Sequence, residues 1–243
     1  YYLVAKPLIF CKISDPFYLT LAFRLVTGIF GIVAITLLIL LANFYYKDDN
    51  DKKRAIVYIF LTLFFIPYFI VRTSSESMST SFFVMGFAIL LLFSKNSVRG
   101  DGKKDRDEIN PSKVIFLFAG LLFGLAFQFR YQIIFMIIGF GLWLLFFSSK
   151  NYLKTLVNLT VMISGFGITI IIGILVDYWG YGEWGVSFWN YFYRNLVLKA
   201  SENWGVEPFW GYLYLINLNI FFPITLFITF SFFVYWIRYP KSN

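Results

Sequence analysis

Long apolar runs alternate with short polar breaks along almost the whole chain. Runs at approximately 18–46, 55–71, 81–94, 113–129, 131–147, 155–176 and 211–237 approach the roughly 20 apolar residues that a helix needs to cross a hydrocarbon core about 30 Å thick. The third run is short, and the Ser and Thr residues before it extend it. Only Arg130 separates the fourth run from the fifth, so the chain must turn tightly or re-enter there. Non-helical backbone at that depth is tolerated only where protein or a wet cavity surrounds it. The pattern predicts an all-α fold, a polytopic transmembrane helical bundle of about seven spanning helices, with 1–243 as a single transmembrane domain. One long segment, 177–212, breaks the apolar pattern and predicts an aromatic and polar loop at the membrane surface.

Composition supports the membrane reading. The 243 residues are 59% hydrophobic and 14% charged, with a mean hydropathy of +0.72, whereas soluble domains are about 45–50% apolar and about 25% charged. The chain has no His and a single Cys, Cys11, which excludes His-based acid–base or triad chemistry, zinc sites and an internal disulfide framework. It starts at Tyr1 with no cleavable signal, as expected of a piece of a longer protein. The net charge of +8 raises nucleic acid as a partner, but the basic residues fall in short loops rather than on one stripe. Lys and Arg concentrate at 47–54, 95–113, 148–154 and the C-terminal tail, which makes that side cytoplasmic. Arg72, Glu76, Arg130 and Asp177 then emerge together on the opposite face.

Charges at the edge of a membrane are costly unless paired or wetted, so these residues are candidates for function. Arg130 reads either as a snorkelling anchor or as a ligand for phosphate, whose oxygens a planar guanidinium meets in pairs. The amides of Gln128 and Gln132 beside it favour the ligand. Arg72 and Glu76 stand four apart and can pair on one helical face, while Ser74, Ser75, Ser77 and Ser79 can satisfy backbone donors at a helix start. Asp177 reads either as the N-cap of a short interfacial helix over 178–183 or as a sugar ligand among aromatic rings. Trp179, Trp184, Trp189, Trp204 and Trp210, from a total of seven Trp, fit both an interfacial belt and sugar stacking. Glycines 120, 124, 139 and 141 lie in apolar runs and serve close helix packing, and there is no Walker-type loop.

These residues resemble the membrane mannosyltransferases of glycosyltransferase family 22. These are GT-C enzymes of asparagine-linked-glycan and GPI-anchor assembly, with bacterial relatives. The match runs from Asp177 through Tyr181, Gly182 and Trp184 to Asn190 and Asn195, then from Gly205 and Pro208 to Tyr212. Arg72-Thr73-x-Ser75 is similar to an Arg-Thr element of the family, and Arg130 to an Arg that precedes Pro-Thr. Glu76 stands where Asn is usual, Tyr131-Gln132 replace Pro-Thr, and Glu207 and Phe209 replace His and Trp; these departures bear on the acceptor. The resemblance implies inverting transfer of a hexose, mannose first, from a polyprenyl-phosphate donor to a glycan or glycolipid acceptor on the non-cytoplasmic face. It implies Arg130 and Arg72 at the donor phosphate, and Glu76, Gln128, Gln132, Asp177, Tyr181 and Asn190 at the sugars. The family's acidic His-Pro-Asp-Glu element, with its catalytic base, falls upstream of Tyr1. Membrane lipid, the lipid-linked donor and the acceptor are the partners expected, nucleic acid is not, and no cofactor beyond the donor is called for. The sparse Cys and the lack of an N-x-Ser/Thr site in the outer loop lean toward a bacterial inner membrane over the endoplasmic reticulum. The rival classes are a GT-C enzyme with another donor sugar, a flippase or transporter, and a structural membrane subunit.

Overall fold

Asp15 and Pro16 open the first long apolar helix. The Asp15 carboxylate accepts the Phe17 N–H at 2.7 Å and Pro16 takes the first helical position, where its missing N–H leaves nothing unsatisfied. The computed structural model describes residues 2–46, 49–62, 65–94, 112–147 and 152–205, with isolated positions from 208 to 237. Among the described residues it is all helical. In chain order the helices are α1 (Tyr2–Phe10), α2 (Pro16–Tyr45), α3 (Asn50–Thr62), α4 (Phe65–Val71), α5 (Ser75–Ser94), α6 (Lys113–Phe129), α7 (Ile134–Phe147), α8 (Tyr152–Tyr181) and α9 (Ser187–Phe192). The chain forms two compact units, Tyr1–Phe188 and Trp189–Asn243.

Among the described residues three helices, α2, α5 and α8, are long and apolar enough to cross a membrane, and α6 and the stretch Tyr131–Phe146 are shorter apolar helices. Seven spans were expected. The described residues of the second run form α3 and α4, with residues 63 and 64 outside the described set and Pro67 in the first turn of α4, the place in a helix that tolerates a proline. Most of the seventh run lies outside the described residues, as do the basic stretch 95–111, Glu207, Phe209 and Tyr212. The outer faces of α2, α7 and α8 expose large apolar side chains such as Leu25, Ile32, Phe135, Ile163 and Ile171. Water disfavours such a surface and lipid tails do not.

Within the first unit α5, α6 and α8 form the centre, with α2 against α5. Rings from three helices interleave: Phe123 of α6 lies 5.4 Å from Phe83 of α5 and 5.9 Å from Phe140 of α7, centroid to centroid. Gly86 makes room for the first of these, since a Cβ there would stand 2.9 Å from the Phe123 ring. The α6–α8 seam is closer still. A Cβ on Gly120 would fall 2.0 Å from the Met162 carbonyl oxygen, and one on Gly165 2.3 Å from that of Leu117, so only glycine admits this approach. Gly139 and Gly141 play no such part among the described residues, where nothing lies within 4 Å of a Cβ built on either. Apolar glycines in a helix therefore do not all mark a seam.

Candidate active site at the Arg130 end of the bundle

The chain breaks at Arg130, where φ is −152° and ψ 112°. The Arg130 N–H still closes α6 onto the Ala126 carbonyl at 3.1 Å. The chain re-enters helix at once, through a 3₁₀ turn over Tyr131–Ile133. This is the tight turn that a single charge between two apolar runs predicts. The Ala126 carbonyl also accepts the hydroxyl of Ser79, buried on α5, at 2.8 Å, which uses both oxygen lone pairs and locks α5 to the end of α6.

Arg130 Nη1 donates to Glu76 Oε1, an ion pair that joins the turn after α6 to the first turn of α5. The side chains are 38% and 55% exposed. Glu76 therefore does not pair with Arg72, as their spacing of four suggested. Arg72 lies before α5, in the turn that Ser74 closes by accepting the Ser77 N–H at 3.2 Å, so the two do not share a helical face. Of the four serines, Ser74 takes a backbone donor at the helix start; Ser75 donates to Glu76 at 3.2 Å and Ser77 back to the Phe69 carbonyl at 2.6 Å. Arg72 is exposed and has no side-chain partner among the described residues.

Gln128 turns into the seam, donating to the Thr169 carbonyl of α8 at 3.4 Å and lying against Gly173. Gln132 is exposed on the 3₁₀ turn. Asp177 is not an N-cap: α8 continues through it to Tyr181, where Gly182 ends the helix at φ +75° and bonds back to the Tyr178 carbonyl at 2.8 Å. Gly182 supplies the left-handed stop that helix ends favour. The Asp177 carboxylate accepts the Ser187 hydroxyl at 2.5 Å, which folds the Gly182–Val186 turn back over the end of α8. The Tyr178 and Trp184 rings stack 4.2 Å apart in that turn. Tyr181, 79% exposed, presents its ring outward.

Phe188, next to Ser187, packs against Phe127 at 5.6 Å and Tyr131 at 6.4 Å. Arg130 and Asp177 are thus linked at one end of the bundle through Tyr131, Phe188 and Ser187. Sequence reasoning passed over Ser187 and Phe188; the only signal was a hydroxyl and a ring ten residues past Asp177. Asn190 belongs to the second unit, where it lines an open hollow of about 560 Å³ with Tyr191, Tyr193, Arg194 and Leu198. No three His, Cys, Asp or Glu side chains gather to hold a metal ion among the described residues. Chemically, this rim offers guanidinium groups for an oxyanion and an oriented carboxylate for hydroxyls.

Residues 1–242 match the model of the Alg9-like mannosyltransferase family. No curated protein and no solved structure matches the chain. A family match over nearly all of its length, together with apolar helices long enough to span a bilayer, means that the chain belongs to the Alg9-like mannosyltransferase family and is a membrane glycosyltransferase.

Proposed function

We propose that the protein moves mannose from a polyprenyl-phosphate donor to a hydroxyl of a glycan or glycolipid acceptor, with inversion, at the non-cytoplasmic face of a bacterial inner membrane. The observation that carries this reading is a largely apolar groove of about 350 Å³ whose one charged lining residue, among the described residues, is ion-paired to an arginine. Gly31 and Ala34 of α2, Phe69 and Ile70 of α4 and Val84 of α5 line it, and it reaches Glu76, the partner of Arg130. An amphiphile lying in this groove would bring its anionic head beside the Glu76–Arg130 pair, where the guanidinium can take it. Tail burial contributes about 0.8 kcal/mol per CH₂.

Arg130, with Arg72, holds the donor phosphate and stabilises it as it leaves. Asp177 and Tyr181 orient a sugar at the end of α8, and Asn190, in the second unit, is a sugar ligand in its own right. Gln128 sets the position of the α6 end against α8, and Gln132 offers an exposed amide beside the arginine. The proton of the acceptor hydroxyl needs a carboxylate base, which the family resemblance assigns upstream of Tyr1. In the full-length protein in lipid, Arg130→Ala should cut transfer from a labelled polyprenyl-phosphate hexose by about 10²–10³, the usual effect of removing an oxyanion ligand. Thermal unfolding should stay near wild type. Near-normal turnover would remove Arg130 from the phosphate site.

A further inference from the structure

The Glu76 carboxylate sits on the guanidinium assigned to the phosphate, an arrangement that weakens anion binding if it does nothing else. Removing it would seem to improve the site, so its presence asks for a use. The charges of the two lipids that must occupy the site supply one. In the donor the phosphate is a diester with one negative charge. Transfer forms a bond from the acceptor oxygen to the anomeric carbon and breaks the bond from that carbon to the phosphate oxygen. The electron pair stays on the phosphate, and the hydroxyl proton goes to the base. What remains is a polyprenyl phosphate monoester, with about −1.5 to −2 charges at pH 7.

We propose that Glu76 discriminates between these two lipids, holding Arg130 ready for the singly charged donor and repelling the more highly charged product so that it leaves. This rests on the reading of Arg130 as the phosphate ligand. Three features of the geometry support it. Glu76 belongs to α5 and Arg130 to the break after α6, so the carboxylate and the guanidinium are held beside each other by separate segments of the chain. Glu76 is the charged residue that lines the apolar groove among the described residues, within reach of the head of a lipid lying there. Both side chains are partly exposed, so a phosphate can displace the carboxylate from one N–H of Arg130 while other donors of the guanidinium remain available. With Arg72, exposed before α5 and placed at the same phosphate in the proposed function, two guanidinium groups and one carboxylate leave a single net positive charge. The result is a site whose net charge accepts one negative charge and disfavours a second.

The experiment uses full-length protein in nanodiscs, with donor KM and inhibition by polyprenyl monophosphate measured for wild type, Glu76→Gln, Glu76→Asp and Arg130→Ala. Glu76→Gln should tighten inhibition by the monophosphate about tenfold, as expected for one unit charge a few ångströms away in a partly exposed site. Its donor KM should change by less than about threefold, and kcat should fall as product leaves more slowly. Glu76→Asp should keep the wild-type ratio. A readout on the unmodified protein guards against a variant that fails to fold: wild type should bind the methyl diester of polyprenyl phosphate about tenfold more tightly than the monophosphate. Equal tightening for donor and product in Glu76→Gln, an unchanged ratio, or a wild-type preference for the monophosphate overturns the proposal. If Arg130→Ala loses both lipids while Glu76→Gln leaves the ratio alone, the phosphate site stands and Glu76 is only its structural partner. If Arg130→Ala binds both lipids normally, the phosphate site itself is wrong.

Discussion

Asp177 sits in the last turn of a long helix, where a carboxylate faces the negative end of the helix dipole. Such a charge needs a donor, and the Ser187 hydroxyl supplies it across the turn that closes α8. The bond engages Oδ2 and orients the carboxylate. If Asp177 takes a sugar hydroxyl, Ser187→Ala should raise the KM for the acceptor about fivefold, equivalent to about 1 kcal/mol, and leave donor KM and kcat near wild type. Steady-state kinetics with the acceptor varied would check this, and an unchanged acceptor KM would confine Ser187 to closing the turn. The existence of Asp177 and Arg130 as special residues was legible in the sequence, because a charge at the end of an apolar run has few bland explanations. Their partners were not. Glu76 had a basic residue four positions away and was matched to it, whereas the structure pairs it with one 54 positions away. Local spacing cannot rank those two options when the nearer residue lies in a turn.

Among the helices, the α6–α8 seam depends on the absence of side chains. Gly120 and Gly165 face backbone carbonyls at distances no Cβ tolerates, and backbone cannot rotate away as a flexible side chain can. Gly120→Ala should therefore destabilise the folded protein by about 1–3 kcal/mol, the usual range for overpacking. Gly139→Ala should be neutral or better, because it meets open space and gains helix propensity. Thermal unfolding in one detergent would show the contrast, and equal midpoints for the two variants would count against the seam. The sequence placed all four glycines in apolar helices but could not say which faced a neighbour. The limits of α5, α6 and α8 were close to the hydrophobic pattern. At the start of α3, Asp49 accepts the Lys52 N–H at 3.0 Å and pairs with its ammonium group at 2.9 Å. The backbone hydrogen bond from Lys52, then its side chain, lowers the Asp49 pKa; the Asp49 carboxylate raises that of Lys52. The Asp49 contribution is present above the ordinary carboxylate range, about pH 4, and is lost as the pH falls below it. The Lys52 contribution is present below about pH 10 and fades above. Amide exchange at Asp51–Arg54 should be slowest, relative to the intrinsic rate, between those limits, and should not change on acidification in Asp49→Ala.

At the scale of the molecule, the direction of each helix decides which residues share a membrane face. α5 starts at the site end with Glu76, while α6 starts at the other end with Lys113 and returns to Arg130. α8 likewise starts near Lys154 and ends beyond Asp177. Gln128 meeting α8 near Gly173 puts the ends of α6 and α8 at one level, so the gathering of these charges at one end, expected from counting loops, is a property of the fold. The basic residues at the opposite end, Lys52, Lys53 and Arg54 at the start of α3 and Lys113 at the start of α6, predict a non-cytoplasmic side for this end. Clusters of this kind stay on the cytoplasmic side. A cysteine map tests it directly, because the native Cys11 is the one cysteine in the sequence. In a Cys11→Ser background, Ser75→Cys and Glu183→Cys should react with a membrane-impermeant maleimide on intact cells. Asn50→Cys and Ser112→Cys should react only after permeabilisation. All four positions are solvent-exposed in the structure, so failure to react reports the membrane and not burial in protein. The reverse pattern would put the Arg130 end in the cytoplasm, where nucleotide-sugar donors become available and the case for a lipid-linked donor loses its main physical support.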